Sequence, residues 1–364
     1  MTYLHHIGTA VPENSFSQEH ALSQLLEVLD LNEVEIRKTK MLYRNSGIDK
    51  RHTALSDFFE YFRQQKQPDV ADRMTWFNEY APKLAMKAIE NCLPQNFDNQ
   101  QITHLITVSC TGLSAPGLDI ELLKRLNLAT NIYRTSVNFM GCYAAFHAMK
   151  QADYICKSDA KSVVLIVCVE LCSLHLQLKT DDDNTRANLL FSDGASAALL
   201  SANPEMINPK SLKINKFYSD IIPKGNDDMA WNISATGFQM KLSAYIPQLV
   251  EENITQLLHA ALTHTSIAEK QITQEQIKYW AIHPGGRKIV DNAMKVLQLS
   301  PNQVAASYQT LKDYGNMSSA TILFVLKEIM NLPQEYDKPY IFAVGFGPGL
   351  TMESMLLENN LSKL

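Results

Sequence analysis

Long apolar runs alternate with helical patterns along the chain, and this alternation constrains the fold more than any other feature. The run at 162–171, SVVLIVCVEL, is apolar without interruption from Val163 to Val169. Such a run is typical of a strand that is covered on both faces of a sheet, as in parallel sheets. Further strands are predicted at 104–110, 194–202, 277–283, 340–347 and 350–358, and helices at 121–128, 247–265, 288–297 and 317–331. Strands and helices in alternation predict an α/β fold.

A proline-rich stretch divides this pattern into two parts. The sequence SANPEMINPKS at 201–211 contains two prolines and no periodic apolar positions. We therefore predict a first unit over 1–205 and a second over 206–364. Each unit alternates strands and helices, which indicates two similar layered α/β halves, although no sequence repeat relates them. The chain has 364 residues, 46% of them hydrophobic, which is enough to form a large core.

Composition and charge exclude several classes of protein. The net charge of −5 gives no electrostatic footprint for nucleic-acid binding. No cationic leader and no run of about 20 apolar residues is found, so we expect a cytoplasmic protein that does not enter a membrane. The six cysteines form no CxxC pair, which predicts reduced thiols and no zinc site. The densest basic run, at 36–51, holds six cations in 16 residues. It is either a solvated helix face or a contact for a phosphate-bearing cofactor such as coenzyme A.

Cys142 is the first candidate for chemistry. It follows Gly141 in VNFMGCYAAFHAMKQA (137–152), where a strand-like run gives way to an alanine-rich helical pattern. A thiol at a helix N-terminus meets unpaired N–H groups that favour the thiolate. A free cysteine is also often a buried apolar filler. The local sequence leaves both interpretations open. His147, five residues later, is interpreted as an ordinary helix residue.

Two further residues could assist such a thiol, because a nucleophilic cysteine needs a base or cation as partner. His283 ends an apolar strand and precedes the turn Pro284-Gly285-Gly286, and strand ends are where α/β folds place site residues. It could instead be packed under that turn. Asn316 lies in DYGNMSSATILF, where it is either a turn former or helix cap, or an amide that donates to an oxyanion.

A glycine-rich loop completes the candidate motifs. The sequence VGFGPGL at 344–350 is not a phosphate loop, because no lysine follows and no helix begins there. Its residues Gly345, Gly347, Pro348 and Gly349 are predicted to let the backbone pass close to a reactive centre.

Together these motifs resemble the chalcone synthase-like (type III) polyketide synthases of the thiolase superfamily. The resemblance is carried by GC at 141–142, IHPGG at 282–286, YGNMSSA at 314–320 and GFGPGLT at 345–351, in the order found in the family. It spans nearly the whole chain, and the segments SCTG and CVELCS are closer to bacterial members.

The resemblance implies a thiolase-like fold of two duplicated halves in an α-β-α-β-α arrangement, a homodimer, and a triad of Cys142, His283 and Asn316. It implies an acyltransferase that condenses malonyl-CoA decarboxylatively and repeatedly onto a Cys142-bound starter taken from an acyl-CoA. The extended chain then cyclises to a pyrone or a phenolic ring. CoA thioesters serve as substrates, and no metal or other cofactor is implied. The initiating β-ketoacyl carrier-protein synthases also use Cys-His-Asn, so a single-round enzyme is the alternative.

Other positions are assigned by the same resemblance. Phe191 matches one of two aromatic gatekeepers, and Met240 stands at the second, where its thioether should soften the entrance. Trp231 occupies a glycine position of the plant enzymes and should narrow the cavity. The remaining substrate-binding assignments are Cys110, Cys172 and His175, which replace threonines of the plant cavity, and Ser318. Lys38, Lys40 and Arg44 are assigned to CoA binding, and Glu170 is predicted to be a buried, hydrogen-bonded carboxyl. These cavity residues could instead be core, and the starter and number of extensions are not predicted.

Overall fold

A computed structural model describes residues 1–56, 58–64, 67–263, 266–267 and 270–360 of the chain. The strands are β1 (Tyr3–Ala10), β2 (Ser15–Ser17), β3 (Lys50–His52), β4 (His104–Ser109), β5 (Tyr133–Asn138), β6 (Val163–Leu171), β7 (Asp193–Ser201), β8 (Leu212–Ile221), β9 (Met229–Ser234), β10 (Gly237–Leu242), β11 (Ser266–Ile267), β12 (Lys270–Gln271), β13 (Ile277–Ile282), β14 (Tyr340–Gly347) and β15 (Thr351–Asn359). The α-helices are α1 (Gln18–Val28), α2 (Glu33–Arg44), α3 (Phe58–Arg63), α4 (Val70–Glu90), α5 (Leu118–Arg125), α6 (Ala144–Ser158), α7 (Asp182–Leu190), α8 (Ile246–Thr263), α9 (Arg287–Val296), α10 (Ala305–Tyr314) and α11 (Thr321–Asn331).

The strands and helices predicted from the apolar runs are all present, within a few residues of the predicted ends. The predicted helix at 247–265 is described as far as Thr263, and its last two positions lie outside the described residues. The presence of these strands and helices confirms the α/β class. None of the described helices combines the length and apolarity needed to cross a membrane.

Nine strands form one mixed sheet in the order β13-β14-β15-β8-β1-β7-β6-β4-β5. From β4 to β1 the successive pairs are parallel, antiparallel and antiparallel, and the same three relations recur from β13 to β8. The two series meet where Leu4 of β1 pairs with Leu212 of β8. The connectivity is thus repeated, although the sequence shows no repeat. The stretch 201–211 connects the two series, and the domain boundary at 205 stays a prediction.

Helices form layers outside and between the two series of strands. Ile166 of β6 and Ala343 of β14 share a core cluster with α6 and α11. The neighbouring Leu165 faces the opposite way, into a cluster with α4 and α5. Phe342 likewise faces α8 and α9. Because side chains alternate across a strand, both faces of β6 and β14 are buried. The order of layers is helix, strand, helix, strand, helix, as predicted.

The expectation of parallel strands is only partly right. The strand pairs β6–β7 and β14–β15 are antiparallel. Helices cover both faces of these strands, so both faces carry apolar side chains whichever way the neighbouring strand runs. A continuous apolar run therefore reports burial of a strand, and the direction of its neighbour has to be established separately.

Candidate active site

Cys142 lies in a tight turn between β5 and α6. Gly141 has φ +83°, a value that favours glycine. A Cβ atom there would lie 2.2 Å from Pro348 Cδ, so the glycine-rich loop packs directly against the turn. The Ala144 N–H donates to the Gly141 carbonyl over 3.0 Å and begins the helix two residues after the cysteine. Cys142 is 7% exposed and lines a cavity.

His283 is buried at the end of β13. Its N–H donates to Val344 O over 2.8 Å, and its carbonyl accepts from the Gly285 N–H, so strand pairing and a tight turn fix the backbone. Neither ring nitrogen has a hydrogen-bond partner among the described residues, although both are buried. Burial lowers the pKa of this imidazole to about 3, so the ring is neutral with one donor and one acceptor. Burying an imidazole without a hydrogen-bond partner costs free energy. Such a ring is available to bind a substrate or to exchange a proton.

Asn316 is held at its backbone and at one end of its amide. Its N–H donates to Leu190 O and its carbonyl accepts from the Ser192 N–H, each over 2.9 Å. Its Oδ1 accepts from the Ser318 N–H over 2.9 Å. The Nδ2 group makes a long contact of 3.4 Å to Gly285 O, and hydrogen bonding from this amide lowers the pKa of the Cys142 thiol. The amide is thus oriented with its acceptor occupied and its donor directed to the site.

These three side chains meet in one cavity of about 450 Å³. Burial raises the pKa of the Cys142 thiol to about 11, and the Glu170 carboxylate acts in the same direction. Hydrogen bonding by Ser318 and Asn316 partly offsets this rise. A single charge is costly in such a cavity, whereas proton transfer from the thiol to His283 creates two opposite charges that attract each other. The arrangement suits a nucleophile with its base and an adjacent amide donor.

The glycine-rich loop contacts the start of α6, as its glycines were predicted to allow. A Cβ at Gly347 would lie 2.5 Å from Tyr143 Cδ1, and one at Gly345 would lie 2.6 Å from Phe146 Cε2. Pro348 lines the cavity, and Gly349 has φ +72°. The loop therefore brings β14 against the residues that follow Cys142.

Comparison with known proteins decides the family. The profile described as chalcone and stilbene synthases, N-terminal domain, matches residues 1–204, and that of the C-terminal domain matches residues 213–360. The chain belongs to the chalcone and stilbene synthase family. It is a type III polyketide synthase, and therefore an acyltransferase.

Individual relatives agree with this assignment. The alpha-pyrone synthesis polyketide synthase-like Pks18 of Mycobacterium tuberculosis is 28% identical over 362 residues, which is 97% of this chain and 90% of the relative. The 3,5-dihydroxyphenylacetyl-CoA synthase of Streptomyces toyocaensis is 28% identical over 364 residues, 97% of this chain and 88% of the relative. These similarities support the polyketide synthase interpretation and do not support the initiating β-ketoacyl synthase.

Solved structures confirm the thiolase-like fold. The C-terminal type III polyketide synthase domain of Steely1 from Dictyostelium superposes with a TM-score of 0.91 at 26% identity, covering 98% of this chain and 99% of that domain. PKS-I of the brown alga Ectocarpus siliculosus gives 0.88 at 27% identity, covering 98% of each chain.

In this type III polyketide synthase the seven assigned substrate-binding residues all line the cavity: Phe191, Met240, Trp231, Cys110, Cys172, His175 and Ser318. All six cysteines are free and buried. Cys110 Sγ accepts from the Gly141 N–H over 2.9 Å, so it lies behind the turn that carries Cys142.

An aromatic cluster forms one wall of the synthase cavity. The indole N–H of Trp231 donates to Cys110 O over 2.7 Å. His175 Nε2 lies 2.7 Å from Thr111 O, and its Nδ1 accepts from the Phe238 N–H over 3.1 Å. The Nε2 atom therefore carries the proton, and burial lowers the pKa of this ring to about 3. Trp231 and Met240 are direct cross-strand partners on β9 and β10, so the hairpin presents both to the cavity.

The residues assigned to CoA binding do not line the cavity. Lys38, Lys40 and Arg44 are exposed on α2, and Lys38 forms an ion pair with Asp182 of α7. The cavity instead extends toward β2, α1 and β3, where Phe16, His20 and Arg51 contribute to its lining. Arg51 belongs to the basic run at 36–51, whereas Phe16 and His20 lie in segments that carry no chemical motif and were not predicted.

Glu170 is fully buried behind the site, as predicted. It accepts from the Cys110 N–H over 2.9 Å, from Thr111 Oγ1 over 2.8 Å and from the Ser319 hydroxyl. Burial raises the pKa of this carboxyl, and those hydrogen bonds act against the rise. Glu170 therefore ties the segment after β4 to the segment after Asn316.

Proposed function

We propose that this synthase extends a Cys142-bound acyl starter by repeated decarboxylative condensation with malonyl-CoA and cyclises the product. The observation that carries the proposal is the imidazole of His283. It is buried in the cavity that it shares with Cys142 and Asn316, and neither ring nitrogen has a partner among the described residues. The site offers a thiol, a base and an amide donor at once.

The first step is acyl transfer. His283 accepts the proton of the Cys142 thiol, and the sulfur attacks the thioester carbonyl of the acyl-CoA. The bond between that carbonyl and the CoA sulfur breaks, and the leaving thiolate takes up the proton. His283 returns to its neutral form, which its burial favours.

The second step is decarboxylation of malonyl-CoA. The neutral His283 N–H and the Asn316 Nδ2–H donate to the thioester oxygen of the malonyl group. As CO2 leaves, the electron pair of the broken C–C bond forms an enolate on that oxygen. The donors stabilise the charge where it develops, so no base is needed at the carbon and we expect no cofactor beyond the CoA thioesters.

Condensation and repetition follow. The enolate carbon attacks the Cys142 thioester carbonyl, and the Cys142 sulfur leaves. The lengthened β-ketoacyl-CoA transfers back to Cys142 by the first step, and the cycle repeats until the chain cyclises to a pyrone or phenolic ring. The relatives named for alpha-pyrone synthesis and for 3,5-dihydroxyphenylacetyl-CoA support these two product classes. Trp231 and Met240 would limit the chain length and shape the entrance.

We also propose a cytoplasmic homodimer that uses malonyl-CoA and an acyl-CoA starter and binds no nucleic acid. Strand β5 ends the nine-stranded sheet and is mostly exposed, which leaves an edge available to a second copy. Lys38, Lys40 and Arg44 remain proposed contacts for the CoA phosphates outside the cavity.

Product analysis tests the proposed function. The enzyme is incubated with malonyl-CoA and a panel of short, long and aromatic acyl-CoA starters, and parallel reactions supply the same acyl groups on an acyl carrier protein. We expect cyclised products that contain several malonyl-derived units, without a carrier protein. A single β-keto product that forms only with the carrier protein would overturn the proposal.

A further inference from the structure

Residues 49–55, which include β3, form a strap across the connection between α7 and β7. The Asp49 N–H donates to Lys312 O at the end of α10 over 2.8 Å. The His52 N–H donates to Ser192 Oγ over 2.9 Å, and the Ala54 N–H donates to Asp193 Oδ2 over 2.8 Å. The strap therefore binds α10, which precedes Asn316 in the chain, and the connection between α7 and β7, which bonds to the Asn316 backbone.

Arg51 is the buried charge of this strap, with only 4% of its surface exposed. Its Nη1 donates to Asn188 O over 2.7 Å and to Phe191 O over 2.9 Å. Its Nε donates to Gln18 Oε1 over 2.9 Å, and Gln18 Nε2 donates to Leu189 O over 2.8 Å. The guanidinium thus supplies donors, directly or through Gln18, to three carbonyls at the C-terminus of α7.

The carbonyls at this helix end are also where Asn316 is attached. A helix leaves its last carbonyls without partners, and a cation there is favourable. Arg51 and Gln18 occupy the carbonyls of Asn188, Leu189 and Phe191, and Leu190 O accepts from the Asn316 N–H. The position of Asn316 consequently depends on the helix end that Arg51 caps.

The stem of Arg51 reaches the same segment from a second side. A Cβ at Gly315 would lie 3.1 Å from Arg51 Cγ and 3.0 Å from Leu190 O. Gly315 has φ +70° and directly precedes Asn316. The backbone at 315–316 is therefore enclosed between the arginine stem and the helix end.

We propose that Arg51 is a positioning residue that holds the Asn316 amide in the orientation needed for decarboxylation of malonyl-CoA. The inference rests on the proposed function. Arg51 acts through the α7 C-terminus and Gly315, with its Nε and Nη1 donors committed to protein acceptors. Acyl transfer to Cys142 needs the thiol and His283, so it depends on Arg51 much less than decarboxylation does.

Lysine cannot replace this arginine. Its single ammonium nitrogen on a flexible stem cannot reach Gln18, Asn188 and Phe191 with the planar geometry of a guanidinium. In Arg51→Lys we expect kcat for release of CO2 from malonyl-CoA to fall about 10–100-fold, since small displacements of a catalytic group cost this much. We expect KM for malonyl-CoA and the rate of Cys142 acylation to stay within about threefold of wild type, because neither requires the Asn316 amide in its transition-state orientation.

The decisive arm is a double-mutant cycle. Arg51→Lys is combined with Asn316→Ala, and decarboxylation is measured in both single variants and the double variant. Arg125→Lys, an exposed arginine paired with Glu121 on α5, is the matched control and should behave as wild type. If Arg51 acts through Asn316, the double variant decarboxylates no more slowly than Asn316→Ala alone.

Additive losses in the cycle, or an equal loss of acylation and decarboxylation in Arg51→Lys, would overturn the inference. Wild-type decarboxylation in Arg51→Lys would overturn it as well. Should Arg51→Lys fail to fold, Gln18→Met removes the adjacent donor to Leu189 O and must show the same selective loss to a smaller degree. Failure of the proposed function would appear differently, in the wild-type enzyme, as absence of CO2 release or as a single β-keto product that forms only with the carrier protein.

Discussion

At the scale of single residues, the chemistry depends on groups that burial keeps neutral until substrate arrives. The pKa of the Cys142 thiol is raised to about 11 and that of the His283 imidazole is lowered to about 3, each chiefly because the group is buried. A neutral imidazole can accept the thiol proton in one step and donate to an enolate oxygen in the next. The same ring therefore serves both halves of the proposed reaction.

His283→Ala should separate these two roles. We expect CO2 release from malonyl-CoA to fall about 10²–10³-fold, the usual cost of losing one oxyanion donor. We also expect alkylation of Cys142 by iodoacetamide to require a more alkaline pH than in the wild type. The pKa of this thiol is raised, and without His283 no adjacent base accepts its proton. The exposed His259→Ala is the control. Full decarboxylation in His283→Ala would contradict the assignment.

The sequence predicted the triad residues because each lies in a distinctive turn at the end of a strand or the start of a helix. It could not predict which side chains hold those turns in place. Arg51 caps a helix that is more than a hundred residues away along the chain, and Glu170 accepts from both Thr111 and Ser319. Such partners are set by tertiary packing, and the local pattern around each residue is compatible with many of them.

At the scale of elements, helix α6 is attached to the opposite half of the fold by a partly buried polar cluster around Glu353. Glu353 of β15 receives His147 Nε2 at 3.1 Å and Lys150 Nζ at 3.0 Å, both from α6. Ser219 of β8 donates to the same carboxylate over 2.7 Å. His147 lies within α6 and does not line the cavity, as expected of a helix residue, but its contact with Glu353 of a distant strand was not predicted. The cluster anchors the helix that begins just after Cys142.

Glu353→Gln should lower the free energy of unfolding by about 1–3 kcal/mol at neutral pH, since it removes the charge from a carboxylate that is hydrogen-bonded to Lys150 and Ser219. The hydrogen bonds of His147, Ser219 and Lys150 lower the pKa of this carboxyl against the opposing effect of burial. The stabilisation is therefore complete above the ordinary value of 4.5 and is lost as the pH falls below it. Urea denaturation at several pH values measures both effects.

The exposed Glu33→Gln, at an ion pair on α2, is the matched control and should change stability by less than about 0.5 kcal/mol. An effect of Glu353→Gln as small as that of the control, or one that persists unchanged at pH 3, would contradict the account.

Element prediction succeeded where apolar runs were long and failed where polar residues interrupt a strand, including the mostly buried β1. Strands β8, β9 and β10 were missed because charged and polar residues interrupt their apolar positions. The hairpin of β9 and β10 nevertheless carries Trp231 and Met240 into the cavity. Prediction of the cavity wall and of β1 and β8 at the centre of the sheet thus required the structure, while prediction of the long apolar strands on either side of them did not.

At the scale of the whole molecule, the fold repeats its connectivity without repeating its sequence. Two series of strands have the same order and the same directions, and they join at β1 and β8. A fold depends on which positions are apolar and buried, so two unlike sequences can share one topology. The site lies where loops from both halves meet, since Cys142 belongs to the first half and His283 and Asn316 to the second.

Trp231→Gly tests how the enclosed volume limits the product. Removing the indole enlarges the cavity and releases Cys110 O from its hydrogen bond. We expect the distribution of products from malonyl-CoA to shift by at least one additional malonyl-derived unit, as measured by mass spectrometry. Trp231→Phe, which keeps most of the ring, is the conservative control. Identical product masses in the glycine variant and the wild type would show that Trp231 does not set the length.

The exposed edge of β5 predicts an assembly of two chains. An unpaired strand edge at the end of a large sheet favours pairing with a second copy. Light scattering coupled to size-exclusion chromatography should give the mass of two chains at micromolar concentration. The mass of a single chain under these conditions would contradict the proposed homodimer.

The most direct test of the central claim is the intact mass of the enzyme after brief exposure to an acyl-CoA starter without malonyl-CoA. The account predicts a mass increase by one acyl group, located at Cys142 by peptide mapping. Cys142→Ala should show no increase while keeping the circular dichroism of the folded protein, although Cys110 and Cys172 remain in the cavity. An acyl group found on another residue, or chain elongation by Cys142→Ala, would contradict the account.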